Sequence, residues 1–134
     1  MYTGACLCGE IKFNIHQNIS KIFICHCQQC QKSQGSAFVA VVTIDLKNFQ
    51  LLSGENFLTE YFYTPNKRRV FCKQCASPIF SARLDLPNVI RLRVGIIDQQ
   101  LNEAQVYSHA FTDEKACWFD LPEDGSIRFE KASI

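Results

Sequence analysis

Seven of the eight cysteines in this chain fall into three short clusters. Cys6-Leu7-Cys8 is a C-x-C, Cys25-His26-Cys27-Gln28-Gln29-Cys30 is a C-x-C-x-x-C, and Cys72-Lys73-Gln74-Cys75 is a C-x-x-C, while Cys117 stands alone. Zinc binds thiolates at about 2.3 Å in a tetrahedron, which sets sulfurs about 3.8 Å apart. A C-x-x-C turn reaches that spacing readily, and its backbone N–H groups can point at the sulfurs. A C-x-C reaches it where a strand bends, because residues i and i+2 project to one face. Two such pairs from distant parts of a chain make a closed structural site. The natural combination is Cys6 and Cys8 with Cys72 and Cys75.

The middle cluster differs. Cys25, Cys27 and Cys30 fill three corners of a tetrahedron, and no fourth donor is evident. Open coordination marks a catalytic zinc rather than a structural one. Zn²⁺ with three thiolates has a formal charge of −1, so it is a poor Lewis acid for water. A soft, thiolate-rich centre accepts a fourth thiolate instead, which points to a thiol substrate bound through sulfur. Two zinc ions per chain is the expectation. Competing readings are disulfides or a redox dithiol, buried unliganded thiols, and a single zinc that draws on all three clusters. His26 lies between two ligands, so its ring should point away from a metal gripped by Cys25 and Cys27. Cys117 lacks a partner at ligand spacing and reads as a packed core cysteine, though it is also the residue best able to close the open site. His16 and His109 read as strand-surface residues.

Compartment and composition narrow the choice. Met1 to Cys6 has no basic stretch followed by a long apolar run, so no signal peptide is expected. No apolar run approaches the ~18 residues of a membrane span. The expectation is a cytoplasmic protein, where thiols stay reduced and clustered cysteines bind metal or do redox work. A net charge of +1 leaves no overall footprint for nucleic acid. The 134 residues, 47% of them hydrophobic and 11 of them Phe, can bury a core as one domain over residues 1–134.

The elements that must carry these cysteines are mostly short strands. Ile11 to Ile15 alternates strictly, as a half-buried strand does. Lys21 to Ile24 leads directly into the middle cluster. Ala37 to Ile44 is a continuous apolar run suited to a strand buried on both faces. Phe57 to Tyr63 and Arg69 to Cys72 form a hairpin around Thr64-Pro65-Asn66. Strands follow at Pro78 to Leu84, Val89 to Val94 and Gln105 to Phe111. Helix is sparse: Gln28 to Gln34, ended by Gly35, and one turn after Asp45 as its cap. From Asp113 onward the chain reads as loop with a final strand. The fold expected is mainly β with one or two short helical turns.

Taken together, these motifs resemble the glutathione-dependent formaldehyde-activating enzyme family, which also contains centromere protein V. Gly4-Ala5-Cys6-Leu7-Cys8-Gly9-Glu10-Ile11-Lys12-Phe13 is similar to the family's opening strand. Cys25 to Cys30, with Lys32 and Gly35, resembles its middle segment. Arg69-Val70-Phe71-Cys72-Lys73-Gln74-Cys75-Ala76-Ser77-Pro78-Ile79-Phe80 resembles its hairpin, and Trp118 falls where the family has a Trp after a His-containing strand, here Ser108 to Phe111. The resemblance implies a zinc-pinned β-tent of two antiparallel sheets. It implies a structural zinc on Cys6, Cys8, Cys72 and Cys75 and a catalytic zinc on Cys25, Cys27 and Cys30. The implied activity is a carbon–sulfur lyase reaction joining glutathione to formaldehyde, with a non-catalytic β-tent module for protein or chromatin binding as the alternative. Cations for glutathione's two carboxylates are available at Lys67-Arg68-Arg69 and at Arg91 and Arg93, although a solvated sheet face explains the last two equally. Two residues depart from the family pattern. Ala76 stands where glycine is expected, and is strained if that position needs positive φ. Gln31 stands where arginine is common, which removes a fixed charge near the open site.

Overall fold

The computed structural model of the chain describes residues 1–131. Eleven strands are present among them: β1 (Tyr2–Ala5), β2 (Lys12–Ile15), β3 (Lys21–Cys25), β4 (Val39–Asp45), β5 (Phe49–Ser53), β6 (Leu58–Phe62), β7 (Lys67–Cys72), β8 (Pro78–Arg83), β9 (Leu86–Arg93), β10 (Gln105–Ala110) and β11 (Ile127–Arg128). The α-helix, α1, covers Gln28–Gln34, and four single 3₁₀ turns complete the regular structure. The fold is thus mainly β, with its strands in two sheets. No described helix is long and apolar enough to cross a membrane.

The described residues form two compact units. The first comprises residues 1–18 and 42–101. One of its sheets has the order β1-β2-β5, and β6 to β9 follow one another as a meander of neighbouring strands. These pairings are antiparallel. The strict alternation from Ile11 through β2 has the consequence expected of it: Ile11, Phe13 and Ile15 are wholly buried. Phe13 stacks on Phe49 with ring centroids 5.1 Å apart. A Cβ at Gly4 would overlap both the Phe13 ring and the Ile96 carbonyl, so glycine lets β1 approach the core this closely. β5 is not evident from the sequence. It is an edge strand with Gln50, Leu52 and Ser53 exposed, so no alternating apolar pattern marks it. The one-turn helix after Asp45 does form, at Leu46–Asn48, but the Asp45 side chain makes no capping bond.

Among the described residues, the second unit comprises 19–41 and 102–131. β10 lies between β11 and β3, and β4 flanks β3 on its other side. β3 and β4 are antiparallel. β10 runs parallel to both β3 and β11, which departs from the antiparallel expectation. β3 and β10 are far apart in the chain, so no hairpin dictates their relative direction. α1 leaves the end of β3 and stops at Gly35 in the left-handed conformation, φ 63°, as the sequence predicts.

Burial of Phe13 anchors the first unit. Phe13→Ala is expected to lower the unfolding free energy by about 3–5 kcal/mol, read from the urea midpoint. A loss below about 1 kcal/mol would show that this ring is not central to the core.

Candidate metal centres

Among the described residues, two groups of metal-ligating side chains converge: Cys6, Cys8, Cys72 and Cys75, and separately Cys25, Cys27 and Cys30. Within each group the sulfurs lie within 4.8 Å of one another.

The four-thiol group belongs to the first unit. Cys6 leaves β1 in a tight turn closed by Gly9 N–H donating to the Cys6 carbonyl at 3.0 Å. Ile11 N–H points at Cys6 Sγ, 3.4 Å away. Cys72 ends β7, is wholly buried, and begins a second turn in which Ala76 N–H donates to the Cys72 carbonyl at 2.8 Å. Sulfur spacings of 3.5 Å (Cys6 to Cys8) and 3.8 Å (Cys8 to Cys72) match a zinc tetrahedron. Ser77 joins the two turns, because its Oγ accepts from Leu7 N–H at 2.9 Å and lies 3.2 Å from Cys75 Sγ. That hydroxyl, against desolvation, is the first cause bringing the Cys75 thiol down to about 5. Cys8 moves the other way, to about 11. A backbone hydrogen bond at Glu10 lowers it, but desolvation and contacts with Cys6, Cys75 and Cys72 outweigh that.

The three-thiol group belongs to the second unit. Cys25 ends β3, paired with Val39 on one side and Ala110 on the other. Cys27 caps α1, and its Sγ accepts from Cys30 N–H at 3.3 Å. Cys30 is buried inside the helix. Two of the thiols therefore sit on or against α1 and one on the sheet, with His26 as the junction. Hydrogen bonding to Cys27 and then Cys30, together with desolvation, raises the Cys25 thiol steeply. For Cys27 the bond to Cys25 lowers the pKa, yet Cys30 and desolvation outweigh it, so the net shift is upward. Three adjacent thiols cannot all ionise without a cation among them. A divalent metal reverses this by favouring the thiolates. Both donor sets, all sulfur and each within 4.8 Å, fit a soft divalent ion such as zinc.

Around the second group, Glu114 Oε1 accepts from Gln28 N–H at 3.1 Å, placing a carboxylate at the start of α1. Gln31 does not face an open site. Its Nε2 donates to the carbonyls of His26 (2.7 Å) and Glu114 (2.9 Å), and so ties the helix to the chain after β10. His26 lies outside the ligand group, its ring wholly buried against Phe38 and Phe119. Burial, then the neighbouring His109 and Lys115, push its pKa down to about 4, so the ring is neutral near pH 7.

Residues 1–114 match the family described as glutathione-dependent formaldehyde-activating enzyme. The chain belongs to this family. No curated protein matches it. A crystal structure of a Rhodobacter sphaeroides protein, a structural-genomics target, shares the fold with a TM-score of 0.63 at 19% identity, covering 95% of this chain and 98% of that one. All seven clustered cysteines fall within the segment matched to the formaldehyde-activating family.

Several sequence expectations need correction. Cys117 is not a core residue: it is exposed in a turn and takes no part in either sulfur group. His109 is not on a strand surface but 1% exposed, with the His26 ring stacked against it. His16 is exposed as expected and bonds Gln50 Oε1 at 2.8 Å. Three of the basic residues offered for carboxylates, Arg68, Arg69 and Arg93, have other partners. Arg68 pairs with Glu60 at 2.8 Å, Arg69 lies over the Tyr63 ring, and Arg93 is buried and donates to Ser81 Oγ and the Arg91 carbonyl. A solvated sheet face is therefore not the explanation of Arg93.

Ala76 does occupy the left-handed region, at φ 65°. An L-residue there is strained by roughly 1–2 kcal/mol, which glycine avoids. Ala76→Gly is expected to raise the unfolding free energy of the metal-loaded protein by about 1 kcal/mol, offset in part by the entropy of the more flexible unfolded chain. Chemical denaturation reads this directly; a destabilised Ala76→Gly protein would contradict the strain.

Proposed function

We propose that the chain is a zinc-dependent carbon–sulfur lyase of the formaldehyde-activating type, joining a glutathione-like thiol to a small aldehyde at Cys25, Cys27 and Cys30. In the net reaction the thiol sulfur bonds to the carbonyl carbon, and the thiol proton passes to the carbonyl oxygen. Zinc held by these three thiolates would lower the pKa of an incoming thiol and fix its sulfur. The observation that carries the reading is the ligand count: three sulfurs converge without a fourth His, Cys, Asp or Glu among the described residues, and Cys117 lies elsewhere. Cys6, Cys8, Cys72 and Cys75 form the complementary closed set and take the structural role.

The chain's own residues then divide the work. Cys25 is held by two strands, while Cys27 and Cys30 are held by the first turn of α1. Gln31 and Glu114 fix that helix in place. The thiol and aldehyde are the partners, and the work is intracellular chemistry in the cytoplasm.

Mixing formaldehyde and glutathione with zinc-loaded protein is expected to form the S-hydroxymethyl adduct faster than the spontaneous reaction. Absence of acceleration would remove the named activity. Cys27→Ser should abolish the added rate while the circular dichroism spectrum stays native. Cys75→Ser should instead lose the folded signal, since a structural zinc supplies folding free energy. The roles assigned to the two groups fail if these variants behave the other way round.

A further inference from the structure

The second unit contains a buried pair of histidines that the proposed chemistry does not use. His26 and His109 are 0% and 1% exposed. His26 Nε2 and His109 Nδ1 are 2.9 Å apart, and the rings stack at 5.1 Å with planes inclined by 21°. On the far side, His109 Nε2 faces Asp124 Oδ2 at 3.8 Å. Asp124 is itself held by Ser126 N–H and the Ser126 hydroxyl. The three side chains form a line from the three-thiol group to a half-exposed carboxylate.

This arrangement has a cost. His26 Nδ1 and His109 Nε2 are both buried without a hydrogen-bond partner, and such atoms cost free energy that apolar rings of similar size would not. The position of His26 shows what is gained in return. Cys25 belongs to the sheet and Cys27 to the helix cap, and His26 is the one residue between them. The angle at which α1 leaves β3 is therefore set by the conformations of His26 and the capping Cys27. Its backbone N–H donates to the Ala110 carbonyl at 2.9 Å, and its carbonyl accepts from Gln31. Those bonds fix the main chain on either side, and a ring held in one orientation fixes the side chain between them. A phenyl ring would fill the space without that directional bond. With its proton on Nε2, toward the Asp124 carboxylate, His109 would accept at Nδ1 from His26 Nε2–H.

We infer that His109, which has the Asp124 carboxylate 3.8 Å from its Nε2, is a positioning residue for the three-cysteine site: it locks the His26 ring and thereby the separation of Cys25 from Cys27 and Cys30. The inference rests on the proposal that those three cysteines hold a metal. Residues beyond the ligands that orient a metal site typically change its affinity 10–100-fold when lost.

The test is cobalt binding to the full chain, followed by sulfur-to-cobalt charge-transfer absorption, with thermal unfolding as a check on the fold. Wild type should take two equivalents. In His109→Leu the second equivalent should bind about 10–100-fold more weakly with altered charge-transfer bands, and the first should be unchanged. His109→Asn, which can place an amide near the Nδ1 position, should restore most of the affinity and the wild-type bands. Asp124→Asn keeps the shape at a partly exposed position and serves if His109→Leu fails to fold. It should weaken the second equivalent several-fold. Wild-type affinity and bands in His109→Leu, or in Asp124→Asn where the leucine variant does not fold, would overturn the positioning role alone. A wild-type protein that binds a single equivalent would overturn the three-thiol metal site and this inference together.

Discussion

Thiols brought within bonding distance of a single point repel one another once ionised, and this constraint shapes the whole chain. Sulfurs from stretches as far apart as Cys8 and Cys72 meet at 3.8 Å. The separate group of Cys25, Cys27 and Cys30 holds thiols whose close contact raises Cys25 and Cys27 above the ordinary thiol range. A soft divalent cation turns both arrangements from unfavourable to favourable. The turns that carry the cysteines make sense in that light: backbone N–H groups of Ile11 and Cys30 point at sulfur, and Ser77 links the turn at Leu7 to that at Cys75.

The two groups are held differently. The four-thiol set joins the turn after β1 to the turn after β7, so filling it closes a long loop of the first unit. The three-thiol set is local, confined to six residues at a strand-to-helix junction. Its supports come from the chain after β10. Phe111, in the left-handed conformation at φ 54°, turns that chain so that Glu114 meets the start of α1. Such a conformation is strained for a bulky residue and persists only where its surroundings fix it.

Much of this was legible in the sequence, for specific reasons. C-x-C and C-x-x-C spacings are set by tetrahedral geometry, so the seven cysteines could be grouped without coordinates. The buried face of β2 followed from strict alternation, and α1 from its terminal glycine. The rest depended on pairings that no local pattern encodes. β5 and the parallel placement of β10 were not evident, because neither an exposed edge strand nor a long-range pairing leaves a periodic signal. His109 looked like a surface residue because its burial depends on the His26 ring, which packs against it from a distant stretch of the chain. Cys117 looked like a core residue because an isolated cysteine usually is one, and its exposed turn removed it as a fourth ligand. The alanine at position 76 was the informative departure: its family context pointed to a left-handed turn, and the turn is there.

X-ray absorption at the zinc edge tests the central claim most directly. Seven thiolates shared by two ions predict a mean of about 3.5 sulfurs per zinc, rising to about 4 when glutathione is added. One zinc per chain, or a sulfur count that glutathione leaves unchanged, would contradict a closed structural site beside an open, thiol-accepting one.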